Sequence, residues 1–202
     1  LYFDVVPEHL RSKVAENLAK RVLSDDKHID VGLLGTKTIL GALSENGYAD
    51  LAYEMASQET YPSWGWWIKN GATTLYENWD IDASSDISRN HIMFGAIGAW
   101  MYKGLGGILP DEQAPGFKNI ILKPNFVKGL THFSASHKSP YGNIVSSWQR
   151  EGNLVSYTVE IPANSTASFN LKHFKEVMQE GKTLKPELLT LSSGTHHFQI
   201  KL

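Results

Sequence analysis

The 202 residues contain no cysteine, so disulfides, thiolate zinc sites and cysteine nucleophiles are excluded, while the compartment stays open. No apolar run approaches the roughly 20 residues that cross a bilayer as a helix, and no membrane partner is expected. There is no excess of positive charge: the formal net charge is −2. Lys123, Lys128, Lys138, Lys172 and Lys185 are scattered, without the clustering that a nucleic-acid face requires, so no nucleic-acid partner is expected. No phosphate loop, dinucleotide fingerprint, HExxH or GxSxG occurs, and neither a cofactor nor a metal is called for. The chain also lacks an initiator Met and the basic, apolar and small-residue order of a signal peptide. Its Leu-Tyr-Phe-Asp opening leads to the expectation of a fragment whose upstream chain is missing.

The charge that is present is unevenly placed. Residues 1–115 hold 9 Lys/Arg and 16 Asp/Glu, while residues 116–202 hold 10 and 5. Periodicity changes at nearly the same place. Leu10, Val14, Leu18 and Val22 recur every fourth residue after Pro7 and predict a first helix with one buried stripe. Helices are predicted over Leu33–Leu43 and Ala49–Gln58, and a short aromatic one follows a Ser63 cap. A long one is predicted over Ser88–Leu105. Past Pro115-Gly116 the pattern is strand-like, with pieces at Asn119–Pro124, Thr131–Lys138, Gly142–Glu151, Leu154–Ile161, Thr166–Asn170, near Val177, and Thr195–Leu202. The expected domains are therefore a helical 1–115 and an antiparallel β-sandwich at 116–202. Five helices cannot close an α/α toroid of about a dozen, so an exposed edge or an association is expected.

Carboxylates, aromatic rings and glycines crowd into residues 59–100. Sugar clefts use that mixture, because ring faces stack on pyranose C–H groups while carboxylates bind hydroxyls. Glu77 lies between Tyr76 and Trp79; an aromatic setting that desolvates a carboxyl group suits acid or base work. A helix cap or a pair with Lys69 is the structural alternative. His91 is a candidate sugar-hydroxyl donor or a satisfied histidine near a helix start. Trp64, Trp66 and Trp79 are candidate sugar platforms or core. Asp80, Asp82 and Asp86 lack the glycine and terminal Glu of an EF-hand and read as a solvated loop.

The runs Gly32-Leu33-Leu34-Gly35-Thr36, Leu43-Ser44-Glu45-Asn46-Gly47, Tyr61-Pro62-Ser63-Trp64-Gly65, Gly71-Ala72-Thr73-Thr74-Leu75-Tyr76-Glu77-Asn78-Trp79 and Ser88-Arg89-Asn90-His91 together resemble the late catalytic barrel of bacterial α-L-rhamnosidases of glycoside hydrolase family 78. The resemblance implies a partial (α/α)6 barrel followed by a β-sandwich, and inverting release of terminal α-L-rhamnose from a rhamnose-containing carbohydrate. It assigns the general base to Glu77, substrate binding to His91, Trp64, Trp66 and Trp79, and the general acid to upstream chain, so the fragment alone is expected to be inactive. Tyr76 stands where Trp is common in the family. A non-catalytic carbohydrate-binding or assembly module is the competing reading. A uronate-acting α/α-barrel enzyme is a third, weakened because only Lys69 and Arg89 supply positive charge between residues 60 and 100.

Overall fold

The computed structural model describes residues 1–82, 88–185 and 187–202. The chain divides into two compact units, Leu1–Trp100 and Met101–Leu202. In the first, α1 (Glu8–Ser24), α2 (Leu33–Glu45), α3 (Ala49–Ala56) and α4 (Trp64–Lys69) follow in order, and a 3-10 turn at Ile92–Gly95 leads into α5 (Ala96–Trp100). The expected stripe of α1 divides. Ala15, Ala19 and Val22 are buried, whereas Leu10, Val14 and Leu23 remain 45%, 37% and 52% exposed. The helix thus buries the centre of its apolar arc, and Leu10, Val14 and Leu23 on its flanks are left uncovered by the described residues. Between α2 and α5, the indole of Trp100 donates to Ser44 Oγ over 2.8 Å, and Ser44 in turn bonds back to Leu40 O.

The long helix expected from Ser88 does not form as such. Residues 88–91 are not helical, and their backbone bonds back to residues 75–77: Glu77 N donates to Ser88 O over 3.0 Å and His91 N to Leu75 O over 2.7 Å. Groups bonded across to another segment are not available to a helix, so helical structure starts only at Ile92.

In the second unit, a π-helical turn at Met101–Leu105 precedes β1 (Ile108–Pro110) and β2 (Asn119–Leu122). There follow β3 (His132–Ser139), β4 (Gly142–Glu151), β5 (Leu154–Ile161), β6 (Thr166–Asn170), β7 (Glu176–Gln179), β8 (Lys182–Thr183), β9 (Leu188–Leu191) and β10 (Gly194–Lys201). They form a four-stranded sheet in the order β1-β2-β6-β9 and a six-stranded sheet in the order β3-β4-β5-β10-β7-β8. All pairs are antiparallel except β2 with β6, which run parallel. Phe169 of β6 meets Tyr157 of β5 and Phe198 of β10 at centroid distances of 5.4 and 5.5 Å, so the sheets pack face to face as a sandwich.

Gly152 and Asn153 make the expected two-residue turn between β4 and β5, with Glu151 opposite Leu154 and Gly152 at φ +60°. Gly107 is required for space as well as conformation: at φ +64°, a Cβ there would lie 2.0 Å from Pro124 N. Ser146, fully buried, shares its hydroxyl between Gly106 O at 2.5 Å and Tyr157 Oη at 3.2 Å. Burial pushes the Tyr157 phenol well above the usual tyrosine range, an effect that the Ser146 hydrogen bond partly offsets.

Candidate functional site

The site is built on α4 and on the paired segments 75–77 and 88–91. Ser63 caps α4, its hydroxyl accepting from Trp66 N over 2.9 Å. Trp64 and Trp67, three residues apart, share one helix face and are 5% and 2% exposed. They meet Trp79 and Phe94 in one aromatic cluster, with centroids 5.2 Å apart for Trp64 and Trp79, 4.7 Å for Trp67 and Trp79, and 4.3 Å for Trp79 and Phe94. The indole N–H groups are all used by backbone carbonyls: Trp64 to Phe94, Trp67 to Trp79, and Trp79 to Val31, each over 3.1 Å. Trp64 and Trp79 thus lie beneath the surface and join loops that are distant in sequence.

Trp66 differs. It points away from that cluster, lies edge-on to Tyr61 at 6.2 Å, and its buried Nε1 has no hydrogen-bond partner among the described residues. A buried donor without an acceptor is costly, at about 1–3 kcal/mol, so the group is suited to an incoming oxygen.

The two backbone hydrogen bonds bring Glu77 and His91 together across fourteen residues of sequence. Glu77 Oε2 accepts from Ser88 N over 3.0 Å and lies 3.5 Å from His91 Nδ1. The Glu77 side chain is 39% exposed and that of His91 26%, so neither is sealed in the core. Among the described residues, both recorded contacts fall on Oε2. The carboxylate is therefore oriented through one oxygen, and Oε1 faces no recorded protein partner. Lys69, the alternative partner for Glu77, pairs instead with Glu59 at 2.5 Å. Tyr76, next in the chain, leans on Trp67 at 5.7 Å and carries the Arg89 guanidinium over its ring at 5.7 Å.

Sequence reasoning did not single out Ser88, whose amide fixes the carboxylate; a backbone donor leaves no mark in residue type. Asn78 and Asp80 form successive Asx turns, Asn78 Oδ1 accepting from Asp80 N and Asp80 Oδ1 from Asp82 N, while Asp86 lies outside the described residues. Among the described residues no three His, Asp or Glu side chains converge as a metal site.

Comparison with known proteins identifies the family. The family model described as the bacterial alpha-L-rhamnosidase 6 hairpin glycosidase domain matches residues 1–105, and that described as the bacterial alpha-L-rhamnosidase C-terminal domain matches residues 107–184. An alpha-L-rhamnosidase of Formosa agariphila is 34% identical over 223 residues, covering 100% of this chain and 24% of its own length. One of Streptomyces avermitilis is 30% identical, covering 99% of this chain and 21% of its own. The solved alpha-L-rhamnosidase of Dictyoglumus thermophilum superposes with a TM-score of 0.87 at 29% identity, over 100% of this chain and 24% of that one. The Streptomyces avermitilis enzyme, solved in complex with L-rhamnose, superposes with a TM-score of 0.86 at 30% identity over 99% of this chain. The chain spans about a quarter of the length of these relatives. With its helices in the six-hairpin glycosidase domain and strands β1 to β8 in the domain that follows, the chain belongs to the bacterial α-L-rhamnosidase family.

Proposed function

We propose that this chain is the base-bearing part of an inverting α-L-rhamnosidase, with Glu77 as the group that activates the attacking water. What supports this is the geometry of Glu77, whose Oε2 is held by the Ser88 amide at 3.0 Å while the side chain stays 39% exposed. A carboxylate oriented through one oxygen and open at the other can take a proton from water without reorganising.

Inversion needs a second carboxyl group roughly 6.5–9.5 Å from the first, to protonate the leaving oxygen. The resemblance puts that acid upstream, so turnover belongs to the complete protein, with a rhamnose-containing carbohydrate as substrate and the rest of the chain as partner. The His91 imidazole, at 3.5 Å from Glu77 Oε2, is long for a hydrogen bond and keeps donor capacity for a sugar hydroxyl. Trp66 Nε1 offers a second donor. Trp64 and Trp79 support the site from beneath.

Glu77→Gln in the complete enzyme keeps the shape and removes the base. It is expected to lower kcat about 10²–10⁴-fold and leave KM for an aryl α-L-rhamnoside nearly unchanged, as loss of a purely transition-state interaction does. The first product seen by NMR from the wild type should be β-L-rhamnose. Near wild-type kcat in the variant, or α-L-rhamnose appearing first, would overturn the assignment.

A further inference from the structure

The strand-rich unit carries a surplus of positive charge that the glycosidase reading leaves unused: residues 116–202 hold 10 Lys/Arg against 5 Asp/Glu. Part of that surplus converges. Lys172 and Lys185, far apart in sequence, join Lys175 at the rim of one pocket of about 290 Å³, near the lower end of the range for small-ligand sites, so its scale is that of one sugar ring. Two backbone hydrogen bonds frame the pocket, Leu171 N to Glu187 O over 2.7 Å and Leu184 N to Val177 O over 2.8 Å. The connections β6–β7 and β8–β9, which supply its walls, are thereby tied in place before any ligand arrives. Its base is apolar: Leu171 and Val177 are buried, and the half-buried Phe174 is held from behind by Phe126 and Phe169 at 5.6 and 5.9 Å.

The lysines are not all answered within the pocket. Of the two glutamates in the lining, Glu176 accepts from Thr183 Oγ1 over 3.0 Å, and Glu187 lies 3.9 Å from Lys172, at the limit of an ion pair. Among the described residues, Lys175 and Lys185 have no carboxylate partner, and both are exposed. An apolar base below unpaired ammonium groups matches a pyranose that bears its own carboxylate. The ring C–H groups rest on Phe174 and Leu184 while the carboxylate meets the lysines. A neutral ring gains nothing from the ammonium groups, and a free carboxylate gains nothing from the base.

We propose that this pocket is a non-catalytic site for one uronate residue of an acidic saccharide, and that it holds the protein on such a chain. The site calls on no residue of the helical unit.

The test titrates the complete protein calorimetrically at low salt with trigalacturonate, with maltotriose as the neutral probe and sodium acetate as the free carboxylate. Trigalacturonate is expected to bind, and the other two to bind at least about tenfold more weakly. Lys175→Gln and Lys185→Gln should each raise the Kd for trigalacturonate at least about threefold, the scale of one exposed ion pair. Lys138→Gln removes a charge from β3, at the other edge of the six-stranded sheet from β8, and should leave that Kd nearly unchanged. The kcat/KM for an aryl α-L-rhamnoside should stay within about twofold in all three variants. No binding of trigalacturonate, equal binding of maltotriose or acetate, or an equal loss in Lys138→Gln overturns the site. A fall in aryl-rhamnoside turnover in Lys175→Gln and Lys185→Gln overturns its non-catalytic role. Absence of turnover by the wild type, with trigalacturonate bound as expected, removes the glycosidase reading and leaves this inference standing.

Discussion

Trp79 offers the sharpest separation of packing from substrate contact, because nearly all of its indole is already committed. The ring is 8% exposed, lies against Trp64, Trp67 and Phe94, and donates its N–H to Val31 O over 3.1 Å. Trp79→Phe keeps an aromatic face but removes the donor and part of the ring. The partly buried Val31 carbonyl keeps some access to water, so its loss falls at the low end of the cost of an unpaired group, at about 1 kcal/mol. The smaller ring gives up burial equivalent to two or three CH₂ groups, at about 0.8 kcal/mol each. The sum is about 3 kcal/mol. With a urea slope of about 1–3 kcal/mol per M, the unfolding midpoint of the helical unit, followed by far-UV circular dichroism, should fall by at least about 1 M. The KM of the complete enzyme for α-L-rhamnosyl fluoride, measured well below the transition, should move by less than about twofold, since neither the ring face nor the N–H is free for rhamnose. A tenfold rise in KM with an unchanged midpoint would refute this, and would mean that the indole touches the sugar directly.

Other outcomes follow from the same structure. If His91 donates to bound substrate as proposed, His91→Ala in the complete enzyme should raise KM as well as lower kcat, in contrast to Glu77→Gln; an unchanged KM would make His91 a partner of Glu77 only. Gly107→Ala forces a Cβ to within 2.0 Å of Pro124 N and should abolish soluble folding of the strand-rich unit, which expression and circular dichroism would show. The raised ionisation of Tyr157 makes folding depend on its proton: the contribution is complete below the ordinary tyrosine value of about 10 and is lost as pH rises past it toward the folded-state value. The urea midpoint of the strand-rich unit should therefore drop above about pH 10, and drop less steeply in Tyr157→Phe.

How much of this was legible beforehand depended on how local each feature is. Pro7 with its four-residue apolar spacing, and Ser63 ahead of the tryptophans, marked α1 and α4 because periodicity and capping act within a turn or two. Gly152-Asn153 marked the β4–β5 hairpin for the same reason. The helix expected from Ser88 failed because a distant segment bonds its first residues, which no local pattern reports. Ile108–Pro110, Lys182–Thr183 and Leu188–Leu191 are strands too short or too unpatterned to stand out, and the parallel pairing of β2 with β6 is non-local. At the site, Glu77 and His91 were named through the family resemblance; their meeting depends on backbone pairing that spacing does not encode. Composition flagged the tryptophans, but only packing separates the buried Trp64 and Trp79 from the edge-lying Trp66. The pocket rimmed by Lys172, Lys175 and Lys185 needed the fold, since its walls come from either side of β7 and β8.

The backbone bonds His91–Leu75 and Glu77–Ser88 also bear on how the stretch between them can vary. They fasten the chain on both sides of the connection that contains Trp79, and at the fastened end the Glu77 carboxylate is oriented by the Ser88 amide. Lengthening a fastened connection is inexpensive, since each doubling adds only about 0.6 kcal/mol of closure entropy. Changes of length in that stretch therefore carry little closure cost, and the contact of Ser88 with Glu77 can persist through them.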